Sequence, residues 1–257
     1  MRRLLNFAIS FTLGLSLNGQ SAFNGDYILL GLGGQLENFK DDLVSPLIYG
    51  GYSGAAALGW HSQHGAWQSN LDGHIAIGYQ SPISLSGISN QTTTVSGSVN
   101  YSIRYRIINS DKQALFVGLS SANLIGYRRH NLYSNSALSF SNFISYGPSA
   151  SWQFQPQWAI GKWKLPFAWQ SEINVPIASY LIMPGYNRPF FNNESGLKKH
   201  AFIGQFWHFE FRHNLVYPLT NGNQIRLSYH WNYAEYEGLN YIAQSQHYLM
   251  FHLLFKL

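Results

Sequence analysis

Glu172, His208, Glu210, Arg212, Arg226, His230 and Asn232 are the residues of this chain best suited to chemistry, because a carboxylate beside an imidazole is the minimum for general acid–base work. They fall on one parity within the segments 163–180, 201–217 and 224–236. In an extended chain successive side chains point to opposite sides, so residues two apart share a face. Counting back from the turn near Gly222 sets Arg212 beside Ser228 and His230, with Glu210 close to His230 and Asn232. A plainer reading covers the same residues. Charged groups confined to a narrow interior must pair or cost several kcal/mol, about 3–5 for a broken pair. On that reading Asp72, Arg104, Arg106, Glu172, His208, Glu210, Arg212, Arg226 and His230 form an inward polar network, and no catalytic residue is assigned.

Other reactive patterns lack their partners. His61 and His64 sit near a turn and His208 can approach His230 across a hairpin, but neither pair has a third ligand, so no metal or cofactor is expected. Gly31, Leu32, Gly33 and Gly34 lack the Lys-Ser/Thr and the following helix of a phosphate loop. Glycine there suits a strongly curved strand.

The elements that carry these residues are strands. Leu249, Phe251, Leu253 and Phe255 occupy every second position up to Leu257. Ile225, Leu227, Tyr229, Trp231 and Tyr233 alternate with Arg226, Ser228, His230 and Asn232. In 93–109, Val95, Val99, Tyr101, Ile103, Tyr105 and Ile107 alternate with Ser96, Ser98, Asn100, Ser102, Arg104 and Arg106. In 201–217, Ile203, Trp207, Phe209, Phe211, Leu215 and Tyr217 form the apolar face against His208, Glu210, Arg212 and Asn214. Only one register keeps arginine off the apolar side, where it would cost about 2–4 kcal/mol in lipid.

Ten such segments are read: 27–36, 51–62, 66–79, 93–109, 114–128, 142–156, 163–180, 201–217, 224–236 and 240–257. Short turns near 62–65, 109–113, 159–162 and 219–223 alternate with longer connections at 37–50, 80–92, 129–141 and 181–200, and a shorter one near 237–239. The expected fold is therefore an all-β, antiparallel up-and-down transmembrane barrel of about ten strands, with eight or twelve also fitting the pattern. Trp67, Tyr79, Tyr105, Tyr127, Trp163, Tyr180, Tyr217 and Tyr236 fall at segment ends, where aromatic girdles belong. Pro148 and Pro156 each remove a ladder donor and mark a bulge or an early strand end.

Composition agrees with a wall that faces lipid. Charged residues make up 11% of the 257-residue chain and aromatics 16%, whereas soluble domains carry about 25% charged residues. Arg2 and Arg3, an apolar run from Leu4 to Leu17 and a small or polar exit through Asn18, Gly19, Gln20, Ser21 and Ala22 read as a signal peptide over 1–22, leaving a barrel over 23–257. The formal charge of +5 falls to about +3 without Arg2 and Arg3, too small an excess to indicate nucleic acid. The absence of cysteine excludes disulfides, thiolate metal sites and a lipid-modified amino terminus.

With signal peptide, amphipathic hairpins and a terminal strand of alternating aromatic and aliphatic residues, the chain resembles small bacterial outer-membrane β-barrel proteins. In that class the terminal strand is the signal read by the barrel-assembly machinery and usually closes on an aromatic; here the chain closes on Leu257 with Phe255 as the nearest aromatic. The resemblance implies two enzyme classes to test. Barrel phospholipases and lipid A deacylases carry His-x-Ser, and none of the ten histidines here has serine two residues later. Omptin proteases carry acidic pairs and Asp-x-His; the nearest features are His208-x-Glu210, in reversed order, and Asp41 with Asp42.

The outer loops are more suggestive. The 181–200 connection is apolar for a loop, and Pro184, Tyr186, Phe190 and Phe191 form an expected partner-binding patch or a lid over the lumen. Arg128, Arg129, Lys198 and Lys199 are expected near the outer headgroups, in contact with lipopolysaccharide phosphates. The expected role is that of a non-enzymatic structural or accessory subunit that docks other envelope proteins. A narrow channel for a small solute is the alternative, and a hydrolase of lipid or peptide the third reading.

Overall fold

Period-two alternation leaves each strand with one greasy and one polar face, and closing the sheet into a ring lets it hide the polar face and every strand edge together. The computed structural model describes residues 23–42, 45–83, 91–110, 112–130, 138–156, 158–160, 163–183, 197–238 and 241–257. Its strands are β1 (Gly25–Asp41), β2 (Ser45–His64), β3 (Trp67–Pro82), β4 (Thr92–Asn109), β5 (Gln113–His130), β6 (Leu138–Phe154), β7 (Trp158–Ile160), β8 (Trp163–Leu165), β9 (Ala168–Asn174), β10 (Ala178–Met183), β11 (Leu197–Phe202), β12 (Phe206–Pro218), β13 (Gln224–Tyr236) and β14 (Ile242–Lys256). Pairing is antiparallel throughout, and β1 returns to β14 from Tyr27↔Lys256 to Asp41↔Ile242. With β9 and β10 as one stave and β11 and β12 as another, the wall is a closed barrel of ten strands.

Three expected segments are corrected. The first strand does not stop at residue 36: β1 runs to Asp41 because β2 and β14 both pair with it to that point, so Glu37 is a strand residue. The stretch 163–180 is not one strand. β8 pairs only with β7 in a separate two-stranded sheet, and the barrel wall resumes at Ala168. The eighth stave starts at Leu197 and breaks at 203–205, where Gly204 adopts φ 98°, a left-handed conformation that costs a side-chain-bearing residue about 1–2 kcal/mol.

The prolines act as stops and kinks. β6 ends at Phe154, two residues before Pro156. Gly147 and Pro148 lie opposite Val175, Pro176 and Ile177, between the pairs Ser149↔Asn174 and Tyr146↔Ala178, so the extra residue is a bulge on the β9–β10 stave. At Gly33 an added Cβ would approach the Leu249 carbonyl oxygen to 2.1 Å, so glycine is what allows β1 and β14 to close here.

The inner and outer faces separate as the alternation requires. On β12, His208, Glu210, Arg212 and Asn214 are buried, while Trp207 and Tyr217 are exposed. On β14, Leu249, Phe251, Leu253 and Phe255 are exposed and Tyr248, Met250, His252 and Leu254 are buried. Both described chain ends lie at one mouth, together with the short turns; the longer connections lie at the other.

Candidate functional site

The lumen is braced across its width. In a ring of ten staves, β3 and β12 stand five apart and face each other. Arg212 of β12 reaches across to donate to Asp72 of β3 at 2.5 Å, and His61 Nε2 of β2 lies 2.7 Å from the other Asp72 oxygen. Beside this pair, Arg104 donates to Glu172 at 3.1 Å, to Ser149 at 2.6 Å and to Gln68 at 3.1 Å, which joins β4 to β9, β6 and β3. Glu172 also accepts from Asn70 and Gln170.

A second brace lies nearer the loop-side mouth. Glu37, fully buried, accepts from Arg128 at 2.7 Å, Gln244 at 2.8 Å and Gln246 at 3.3 Å through one oxygen, and from Gln80 at 2.6 Å through the other. Arg128 also packs over the Phe39 ring, 4.3 Å from its centroid, and Phe39 stacks on Tyr49 at 5.1 Å. Next to this level Leu124, Phe143, Leu181, Met183, Phe206 and Tyr236 form an inner apolar cluster. At the opposite mouth Gln153 donates to Gln63 at 2.7 Å across the lumen, and the recess there, lined in part by Phe23, Tyr27, Gln63 and Arg226, holds about 20 Å³. That is room for about one water molecule.

The expected network residues meet with one exception. Asp72, Arg104, Glu172, His208, Glu210, Arg212, Arg226 and His230 are all buried inside. Arg226 Nη1 lies 3.4 Å from His61 Nδ1, Glu210 accepts from Asn174 at 2.7 Å, and the His230 ring stacks on Tyr248 at 5.6 Å. Arg106 is the correction: it stands half-buried at the end of β4, beyond the braces, where the register with β5 shifts between Arg106 and Ile108. Arg212↔His230 and Glu210↔Asn232 are ladder pairs, as the count from Gly222 gives.

His208 and Glu210 are neighbours without a hydrogen bond between them. They lie 3.9 Å apart, too far for a hydrogen bond, and are 1% and 2% exposed beneath the apolar cluster.

The expected surface cations divide by parity. Arg129 and Lys198 are exposed at the loop-side end. Arg128 is not at the headgroups: strand neighbours face opposite ways, so with Arg129 outside Arg128 is inside, ion-paired to Glu37. Lys199, likewise, shares the inward parity of buried Leu181 and Ala201 and lies 5.7 Å from the Tyr236 ring centroid. Tyr236 is itself a correction, buried in the lumen and not part of a girdle. Trp67, Tyr79, Tyr105, Tyr127 and Tyr217 are exposed on the outer wall. Pro184, Tyr186, Phe190 and Phe191, the segment 1–22 and the Trp163 side chain lie outside the described residues. Beyond the membrane-crossing strands, Tyr241 donates to Glu235 at 2.7 Å, and that bond to a carboxylate pushes the phenol up to about 12.

Sequence reasoning missed Glu37 and Gln80, and weighed His61 only beside His64 near a turn. For Glu37 the signal was present, since it shares parity with Gln35 and Phe39, but Leu36–Asp41 carries too few apolar residues to show an alternation.

No family model matches the sequence, and no curated protein matches it. Solved structures do match in shape. The outer membrane protease OmpT from Escherichia coli aligns over 96% of this chain and 100% of its own, at 9% identity and a TM-score of 0.55. The translocator domain of autotransporter NalP from Neisseria meningitidis aligns over 100% and 94%, at 11% identity and a TM-score of 0.44. Ail, the attachment invasion locus protein of Yersinia pestis, aligns over 90% and 99%, at 10% identity and a TM-score of 0.32. These are bacterial outer-membrane barrels of differing roles, and the likeness is one of fold.

Proposed function

We propose that the chain is an exported, non-enzymatic barrel of the bacterial outer membrane that acts as a structural or accessory subunit and docks other envelope proteins through its loop-side end and outer wall. The observation that carries this reading is the braced lumen. Arg212–Asp72, Arg104–Glu172 and Arg128–Glu37 tie opposite staves together, and the inner apolar cluster lies beside the last of these. The ionised side chains of these three braces are committed to one another inside, and on this reading the outside is the working surface. General pores use far wider rings, of roughly 16–18 strands. On this reading Arg129 and Lys198, exposed at the loop-side end, would meet lipopolysaccharide phosphates.

The test is purification of the full chain from native membranes under mild detergent. The reading expects a stoichiometric envelope protein to co-purify; a lone barrel at every detergent tried would contradict it. Restricted passage of a small solute is a second reading. It is favoured by His208 and His252, whose ring nitrogens have no hydrogen-bond partner among the described residues although both side chains are buried. It expects discrete conductance in planar bilayers, and a silent bilayer would remove it.

A further inference from the structure

Among the described residues four arginines are buried in the lumen, and three of them face a carboxylate: Arg104 with Glu172 at 3.1 Å, Arg128 with Glu37 at 2.7 Å and Arg212 with Asp72 at 2.5 Å. The fourth, Arg226, is 3% exposed and forms no ion pair among the described residues. Its neighbours across the two ladders are Val216 on β12 and His252 on β14, and neither carries negative charge. Arg226 Nε has no hydrogen-bond partner among the described residues. Nη1 donates to His61 Nδ1 at 3.4 Å, so the His61 proton sits on Nε2 and is given to Asp72 at 2.7 Å. A neutral imidazole thus stands between Arg226 and Asp72, whose other oxygen Arg212 holds.

Arginine keeps its charge at neutral pH, and a buried cation without a counterion is strongly destabilising. Arg226 lines the recess of about 20 Å³ at the turn-side mouth. No carboxylate lines that recess, and six of its lining residues are carboxamides. Two of these, Gln63 and Gln68, use their oxygens within the lumen, accepting from Gln153 at 2.7 Å and from Arg104 at 3.1 Å, so what each has to offer an occupant is chiefly its N–H₂. Phe23 also lines the recess and packs with Ala168 and Val216, which gives it an apolar cover. Positive charge, amide donors and shelter from bulk water are what a partly dehydrated anion requires.

We propose that Arg226 and this recess bind one small monovalent anion, of the size of chloride, as the counterion of the guanidinium. Size selects the occupant. The recess takes about one water molecule, and a halide ion is little larger, whereas phosphate or sulfate adds a shell of oxygens and a second charge that one arginine does not balance. Cations are repelled by Arg226 itself. A water molecule would fill the space but leave the charge uncompensated. The bound anion joins β13 to Gln63 of β2 and Gln68 of β3, a fourth cross-brace whose negative member comes from solution. The site is separate from the docking reading above, and its test does not depend on any partner protein.

The test is urea unfolding of the full chain in lipid vesicles at constant ionic strength, as sodium gluconate, whose anion is too large for the recess, is exchanged for sodium chloride or bromide. A ligand that binds only the folded state raises the folded-to-unfolded ratio in proportion to its concentration once the site is well filled. Each further tenfold rise in chloride should then raise that ratio about tenfold at fixed urea. Arg226→Gln should abolish the dependence, whereas Arg106→Gln, at the half-buried arginine near the end of β4, should keep it. Crystals of the unaltered protein grown in bromide should show an anomalous peak beside Arg226, a readout that needs no variant to fold. Equal midpoints in chloride and gluconate, a chloride dependence that survives Arg226→Gln, or water alone in the recess of the bromide crystals would overturn the proposal.

Discussion

Glu37 is the residue on which most of the lumen converges. One carboxylate there receives Arg128, Gln80, Gln244 and Gln246, side chains from three other strands. Replacement by glutamine keeps the volume and removes the charge, leaving the Arg128 guanidinium buried without its counterion. The barrel should lose about 3–5 kcal/mol, read as an earlier midpoint in urea unfolding from lipid vesicles. Asp72 and Arg212 give a sharper comparison. Asp72→Leu alone strands Arg212 and should cost a similar amount, whereas the double replacement Asp72→Leu with Arg212→Leu should recover more than half of the loss. A double variant as unstable as the single would show that the pair is not what makes the single costly. The residue scale is also where sequence reading failed by one position. Arg128 and Arg129 look alike as a basic pair, but alternation sends only one outward, and Tyr236 is pulled inside by the parity it shares with buried Ala234.

At the scale of the strand, β12 and β13 were legible because charge and grease take opposite faces along most of their length: Glu210, Arg212, Arg226 and His230 are inward, and Phe209, Leu227 and Trp231 outward. Phe209→Arg should therefore cost about 2–4 kcal/mol through the lipid contact alone, measured by the same unfolding assay, whereas an arginine at an exposed turn position such as Asn221 should cost nothing measurable. The ends and breaks of strands were less legible. β1 continues past Leu36 because two neighbours hold it, a tertiary cause with no local sign, and the bulge opposite Pro148 needs the partner strand to be visible at all. The break at Gly204 depends on its left-handed backbone, so Gly204→Val should destabilise the eighth stave by about 1–2 kcal/mol and loosen amide exchange protection in β11 before β12. His213 interrupts the outward stripe of Phe211 and Leu215, and the neighbouring strand answers it with Ser171, a pairing that only the register shows.

For the molecule as a whole, the account rests on a closed ring that turns its grease outward and fills its own interior. The measurement that tests this most directly is a nitroxide scan along β12, one cysteine at a time from Trp207 to Tyr217, in reconstituted membranes. Collision rates with oxygen, which dissolves in lipid, and with a water-soluble nickel chelate should be read at every position. Outward sites such as Phe209, Phe211 and Leu215 should collide with oxygen, and inward sites such as Glu210 and Arg212 should be immobile and reached by neither agent. Nickel access at the inward sites would reveal an open aqueous lumen, and loss of the period-two alternation would contradict the barrel itself.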